Sequence, residues 1–206
     1  MRKSLPILMA SLLLALSVVA AAAGMADIYR GEAAVLIGEI DGTEDEEGAS
    51  VWAWEQAQRY LWLASRLAPF DAQVLGDLGQ LYERRGGESR ALDAGAELDR
   101  ALDYYRQALT LRPAWPYAWV DIAALKITRQ QIDGEYAHAM QRALTLGPWQ
   151  TSVQASIAGG GLTVWNKLPA MLQTELEDTI ARGLSNDSRL MLAVARRFDL
   201  IASDGS

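Results

Sequence analysis

Hydrophobic side chains recur every three or four residues over most of the chain beyond residue 50, which is the spacing of one face of an α-helix. The first such stripe lies within residues 51–67 and consists of Trp54, Ala57, Leu61, Ala64 and Leu67. Polar–apolar alternation never persists, and runs of β-branched residues are short. The pattern therefore predicts an all-α protein.

Proline and glycine divide this pattern into separate helices. Pro69 and Pro113 should end the first and third helices, because proline lacks an amide hydrogen and disfavours helix in the residue before it. Glycines 86 and 87 should end the second helix, and Pro116 suits the first turn of the fourth. Three further glycines, at 159–161, predict a break, followed by a longer helix and a terminal one over about residues 188–201.

The segments that end at three of the prolines resemble one another. They read Ala-Ser-Arg-Leu-Ala-Pro, Ala-Leu-Thr-Leu-Arg-Pro and Ala-Leu-Thr-Leu-Gly-Pro, and the prolines are 44 and 35 residues apart. A period near 34 residues, made of two helices with a proline after the second, is typical of tetratricopeptide repeats. Small residues would let the paired helices approach closely. The positions that match the repeat are Gly79, Tyr82, Ala101, Ala108, Pro113, Ala143 and Pro148.

These features predict a short tetratricopeptide-like helical repeat stack over residues 51–202, with two C-terminal helices capping its open end. The first full repeat carries an insertion within residues 86–100, and residues 203–206 should form a disordered tail. Residues 27–50 combine a helix-compatible start with six acidic residues between 39 and 47, interrupted by glycine. That acidic run lacks the ligand spacing of a calcium loop, so we expect a flexible, solvated linker.

The N-terminus has the form of an export signal. Arg2 and Lys3 are followed by 23 uncharged residues, 4–26, that are rich in leucine, valine and alanine. At ~1.5 Å per residue this segment is long enough to cross a ~30 Å hydrocarbon core. Residues 1–26 are therefore either a membrane anchor or a signal peptide cleaved after the alanines at 21–23. We favour the anchor, because the alanines lead directly into helix-compatible sequence.

Composition excludes several classes of function. The chain has 19 basic and 26 acidic residues, a net charge of -7 and a pI near 4.8, which argues against nucleic acid as a partner. It has no cysteine and a single histidine, His138, so thiolate chemistry and multi-histidine metal sites are excluded. Glu175 and Glu177 would point about 200° apart on a helix and could not flank one bond. We predict no cofactor, no metal and no catalytic residues.

Tryptophan and arginine supply the candidate binding residues. Trp115, Trp119 and Trp149 lie around the proline junctions, where they either fill the joints between helix pairs or form a platform for sugar rings or a partner peptide. Arg84 and Arg85 lie in the second predicted helix and would face an acidic glycan or a partner segment.

The chain resembles a family of bacterial accessory proteins. The residues that carry the likeness are Pro113-Ala-Trp-Pro-Tyr-Ala-Trp119, Ile122-Ala-Ala-Leu-Lys126, Arg142-Ala-Leu-Thr-Leu-Gly-Pro-Trp149, and Gly161-Leu162 with Trp165. They resemble the Vps-type exopolysaccharide biosynthesis proteins, which join one N-terminal hydrophobic segment to a short tetratricopeptide-like domain.

The resemblance implies a non-catalytic scaffold or adaptor in exopolysaccharide synthesis or export. Its partners would be membrane or periplasmic proteins of a polysaccharide synthesis machine. The protein itself would be a single-pass inner-membrane protein with its C-terminal domain in the periplasm. Alternatively, it would be a secreted or periplasmic protein after signal cleavage. Two alternatives stay open: a module that binds polysaccharide directly, and a carboxylate-dependent glycan hydrolase or lyase.

Overall fold

The computed structural model describes residues 4–42, 47–87, 94–186, 188–198 and 200. All regular structure in these ranges is helical, which confirms the all-α prediction. The elements are α1 (Ser4–Gly42), α2 (Glu47–Leu67), α3 (Ala72–Gly87), α4 (Ala94–Leu111), α5 (Pro116–Thr128), α6 (Gly134–Leu146), α7 (Thr151–Thr163), a 3-10 turn (Trp165–Lys167), α8 (Ala170–Ser185) and α9 (Arg189–Arg197).

The helices form a stack of antiparallel pairs. Helices α1 and α2, α3 and α4, and α5 and α6 pack as pairs, and the first helices of successive pairs (α1, α3, α5) lie side by side, with α7 next in the row. Helices α8 and α9 pack on α7 and close the C-terminal end. The structure is therefore the expected tetratricopeptide-like helical stack with C-terminal capping helices.

Close helix pairing depends on the small residues of the repeat. A Cβ atom at Gly79 would lie 2.6 Å from Cδ1 of Tyr105, so α3 and α4 touch where glycine leaves room. Ala101, Ala108 and Ala143 are fully buried. Tyr82 is also buried, where its ring stacks on Tyr104 at 5.4 Å and its hydroxyl accepts a hydrogen bond from Gln58. Of the two repeat prolines, Pro113 is exposed and Pro148 is half-buried.

The break expected at glycines 159–161 is wrong, because α7 continues through all three to Thr163. A Cβ at Gly161 would lie 2.7 Å from Cδ2 of Leu176, and one at Gly160 would lie 3.0 Å from Cδ1 of Ile127. Glycine here lets α7 approach α8 and α5, and that packing outweighs its low helix propensity of about 1 kcal/mol. The following helix, α8, begins only after a 3-10 turn and Pro169.

Helix α1 extends further than expected and joins the domain. Residues 39–42 belong to α1 and α2 begins at Glu47, so the linker prediction is wrong for these positions; residues 43–46 lie outside the described ranges. Ala26 and Ala33 are buried against the stack. The helical domain therefore begins inside α1 rather than at residue 51.

The insertion predicted at residues 86–100 is partly helical. Gly86 and Gly87 form the last turn of α3, which ends where the glycines predicted, and α4 begins at Ala94. A Cβ at Gly86 would lie 2.6 Å from Cγ of Leu98, so glycine again permits the close approach of two helices. Residues 88–93, and the expected tail at 203–206, lie outside the described ranges.

Candidate functional site

An open cleft of about 550 Å³ lies between α1 and α3. These two helices run parallel, since Ala26 packs near Val74 and, one turn further along both, Arg30 pairs with Asp77. The inner face of a helical repeat stack is formed by such neighbouring first helices and is the surface these architectures use for binding. The polar residues lining the cleft are Asp27, Arg30, Asp77, Gln80 and Arg84.

An ion pair fixes the two walls of the cleft relative to each other. The Nε atom of Arg30 donates to Oδ2 of Asp77 at 2.7 Å, across the cleft from α1 to α3. The Nη1 atom of Arg30 also donates to Oδ1 of Asp27 at 3.3 Å. The guanidinium of Arg30 is thus engaged inside the protein, and the exposed side chain of Arg84 also lines the cleft. The cleft therefore combines these charged side chains with an apolar lining that includes Ile37 and Leu61.

Beside the cleft, the half-buried carboxyl groups of Glu83 and Asp121, on separate helices, lie close enough for their charges to interact. The pKa of Asp121, on α5, is raised to about 7, chiefly by burial and also by the negative charges of Glu83 and Asp77, while a hydrogen bond with Gln80 opposes the shift. Burial also raises the pKa of Glu83, on α3, although a hydrogen bond from Tyr105 and the charge of Arg84 oppose that shift. The hydroxyl of Tyr105 donates to Oε2 of Glu83 at 2.6 Å. Asp121 therefore changes its protonation state near neutral pH.

The sequence pattern gave no signal for the Glu83–Asp121 pair, whose members are 38 residues apart, but it does predict that Asp121 lies near a second acid, Asp77. The usable signal was the repeat itself. Asp77 and Asp121 are 44 residues apart, the same interval that separates Pro69 from Pro113. Equivalent positions in successive repeats lie next to each other on the inner face, so two such acids meet in the fold.

Of the two alternatives for Trp115, the structure supports the one in which it fills a joint between helix pairs, and its prediction as a binding residue is wrong. Its side chain is only 7% exposed and fills the joint between helix pairs, where a Cβ at Gly76 would lie 2.8 Å from its Cη2 atom. The guanidinium of Arg112 lies 5.5 Å from the ring centroid and covers it further. No open ring face remains for a sugar or a peptide.

Trp119 is half-buried and, like Trp115, packs within the stack near the α4–α5 connection. Its Nε1 donates to the carbonyl of Pro113 at 3.0 Å, and its ring meets His138 edge to face at 5.2 Å. His138 is exposed and packs beside this ring. Trp149 is different: it is 73% exposed and follows the end of α6, away from the cleft. Only this one of the three tryptophans offers an open ring face.

The two candidate arginines point to different surroundings. Arg84 lines the cleft, whereas the guanidinium of Arg85 lies 5.1 Å from the centroid of the Trp54 ring between α2 and α3. A consecutive pair on a helix diverges by about 100°, which explains the separation. Arg84 is therefore the cleft residue, and Arg85 packs within the stack.

The other charged clusters hold helices together. Lys126 is buried and pairs with Asp133 at 2.6 Å and with Glu135 at 3.1 Å. Arg106 forms two hydrogen bonds with the same Glu135 carboxylate, which lowers the pKa of that group. Within the described ranges, no group of three or more histidine, aspartate and glutamate side chains is placed to hold a metal ion.

The N-terminal helix has the length and composition of a membrane span. The candidate span Leu8–Ile40 contains 33 residues, and no residue of its most apolar part is buried in the domain. A membrane-spanning helix and a signal sequence share these properties. Comparison of the chain with known protein families and with curated proteins gives no match. The likeness to Vps-type proteins is thus carried by the quoted residues alone.

Proposed function

We propose that this chain is a membrane-anchored, non-catalytic adaptor whose cleft between α1 and α3 binds a segment of a partner protein. The observation that carries the proposal is the cleft itself: an open groove with a mixed polar and apolar lining on the inner face of a repeat stack, whose two walls are joined by the Arg30–Asp77 ion pair. One wall of the groove is the continuation of the apolar N-terminal helix. A partner seated there is held next to the anchor.

The setting we propose is exopolysaccharide synthesis or export. The support is the resemblance of the junctions around Pro113 and Pro148 to Vps-type accessory proteins. In this proposal α1 is an uncleaved inner-membrane anchor, because its residues pack into the domain without a break after Ala23. The short basic start at Arg2 and Lys3 would remain in the cytoplasm and the helical domain would lie in the periplasm.

The test is affinity purification from native membranes with matched charge reversals. Arg84→Glu places a negative charge at the cleft edge, whereas Arg59→Glu makes the same change on the exposed face of α2, outside the cleft. We expect Arg84→Glu to reduce recovery of the co-purifying protein by at least about tenfold, equivalent to ~1.4 kcal/mol of binding free energy, and Arg59→Glu to leave it unchanged. Equal recovery with both variants would contradict binding at the cleft.

A second candidate function is carboxylate-dependent glycan cleavage, and the Asp121–Glu83 pair is the observation that favours it. A glycosidase needs a protonated carboxyl group as its acid and a second carboxyl group from elsewhere in the fold, and Asp121 has the raised pKa of such an acid. Asp121→Asn keeps the shape of the side chain but removes the titratable carboxyl group that would donate the proton. If the protein is an adaptor, polymer production persists in this variant at normal expression; if it cleaves glycan, polymer production changes.

A further inference from the structure

Exposed apolar side chains collect in the three connections that carry the repeat prolines. Phe70 in the α2–α3 connection is 84% exposed, and Trp149 in the α6–α7 connection is 73% exposed. Leu111 and Tyr117, on either side of the α4–α5 connection, and Leu67, at the end of α2, are also exposed. Side chains of this size in water are unusual when several occur together on one surface.

Contacts between the connections place all three at one end of the stack, which we call the junction end. Trp115, in the α4–α5 connection, packs on Gly76 near the start of α3. Gly147, at the end of α6, lies against Pro116 at the start of α5, where a Cβ on the glycine would be 3.2 Å from the proline Cβ. The connections α2–α3, α4–α5 and α6–α7 therefore follow one another along the same edge of the molecule.

The junction end lies level with the point at which the apolar helix leaves the domain. Ala26 packs with Ala64 and Val74, and Ala68, two residues before Phe70, packs against the same cluster. Ala26 is also the last residue of the uncharged segment, since Asp27 carries the first charge after Lys3. Residues 8–25 of α1 project beyond the domain, exposed on nearly every side. The apolar segment thus ends where the domain begins.

We propose that the junction end rests on the phospholipid surface of the membrane that α1 enters, with Phe70 and Trp149 placed among the lipid headgroups. The proposal rests on α1 being a membrane anchor, as in the proposed function. If residues 4–26 fill the hydrocarbon core, Ala68 and its neighbours stand at the level of the headgroups, with no spacer to lift them away. Tryptophan favours that layer because its large apolar ring carries a polar N–H, and phenylalanine is among the apolar residues that interfacial segments bury at the boundary between headgroups and acyl chains.

The distribution of charge fits an anionic lipid surface. The exposed charged residues near the junction end include the basic Arg66 and Arg112 and the acidic Asp27, which pairs with Arg30. The acidic residues of the α1 C-terminus, Glu39 and Asp41, lie 13 and 15 residues beyond Ala26, or about 20 Å away along the helix axis. Although the net charge of the chain is -7, these two acidic positions thus lie away from the membrane, while Arg66 and Arg112 lie near it.

A surface contact of this kind would orient the cleft. A single helical anchor leaves the domain free to rotate and tilt, whereas attachment at Phe70 and Trp149 adds two points away from α1. The α1–α3 cleft would then open sideways along the membrane plane, since both helices that line it run away from the lipid. Such an opening suits a partner segment that emerges from the same membrane.

The chain has no cysteine, so single cysteines can carry a fluorescent probe without removing native residues. Ala114 is exposed in the α4–α5 connection, between Phe70 and Trp149 in the row of connections, and Asn166 is exposed in the 3-10 turn at the opposite end of the stack. The full-length Ala114→Cys and Asn166→Cys variants would be labelled with an environment-sensitive dye. They would then be reconstituted into phosphatidylcholine–phosphatidylglycerol vesicles containing a nitroxide-labelled lipid.

We expect the probe at residue 114 to shift its emission to shorter wavelength and to lose most of its intensity to the lipid-borne quencher. The probe at residue 166 should behave as in water. Replacing Phe70 and Trp149 with serine should largely restore the emission at residue 114, because the contact loses its apolar anchors.

Three results would overturn the proposal. A water-like probe at residue 114, in a chain that stays with the vesicles after alkaline washing, would refute the surface contact and leave the anchor intact. A chain that washes off would refute the anchor and the contact together. A blue shift without lipid quenching would show that the junction end is covered by protein, such as a second copy of the chain, instead of by lipid.

Discussion

Replacing Gly79 with alanine should destabilise the protein, although alanine is the better helix former. The added Cβ would lie 2.6 Å from Cδ1 of Tyr105, whereas carbon atoms in contact prefer ~3.5–4.0 Å, so ring or helix must move by about 1 Å. Tyr105 is fully buried, and its hydroxyl is held by Glu83 at 2.6 Å. The ring of Tyr105 therefore has no space into which it could move away from the added Cβ.

The size of the effect follows from two opposing contributions. Overpacking a rigid core costs ~1–3 kcal/mol, and we place this site at the upper end because the ring is both buried and tethered. The gain in helix propensity returns about 1 kcal/mol. We expect a net loss of about 2 kcal/mol in the free energy of unfolding, which lowers the Tm by roughly 4–8 °C for a chain of this length.

The assay is thermal unfolding of the full-length chain in detergent, followed by far-ultraviolet circular dichroism. Gly95→Ala is the matched control, because a Cβ at Gly95 in α4 meets no atom within 4 Å, and we expect its Tm to stay constant or rise. In a Tyr105→Leu background, the penalty of Gly79→Ala should largely disappear, since the clashing ring is absent. A Gly79→Ala Tm at or above that of Gly95→Ala would refute the close approach of α3 and α4 at this point.

Two further predictions concern Asp121 and the N-terminal helix. Because the folded-state pKa of Asp121 is raised from 3.8 to about 7, its contribution to stability is fully present below about pH 4 and is lost as the pH rises through 7. This loss in the free energy of unfolding is at most about 4 kcal/mol. In urea unfolding at a series of pH values, Asp121→Asn should therefore remove part of the pH dependence of stability. Parallel pH profiles of wild type and variant would contradict the raised pKa. If α1 is an uncleaved anchor, the chain should stay in the membrane fraction after high-salt and alkaline washing, with Arg2 detectable by terminal sequencing. A soluble species beginning near Gly24 or Met25 would show cleavage instead.

The sequence by itself determined the helical class and most of the helix ends. Helix α2 ends at Leu67 shortly before Pro69, α3 ends at Gly87, and α5 begins at Pro116, all as the local pattern indicates. Such ends are predictable because proline and glycine act through the backbone of their own and adjacent residues. The repeat spacing likewise predicted where small residues are needed, since Gly79 and Ala108 sit where two helices must touch.

Only the tertiary structure decided which side chains remain available for binding. Trp115 and Trp149 occur in similar sequence surroundings, yet Trp115 is buried against Gly76 and Trp149 is exposed. The difference arises because α3 covers the α4–α5 connection, whereas no described element covers Trp149 in the α6–α7 connection. The glycines at 159–161 stay helical because α5 and α8 need the space their missing side chains leave. Glu83 and Asp121 form a pair because adjacent repeats align their helices. In each case the outcome depends on a neighbour that is distant in the chain, and no local pattern of residues records which neighbour that is.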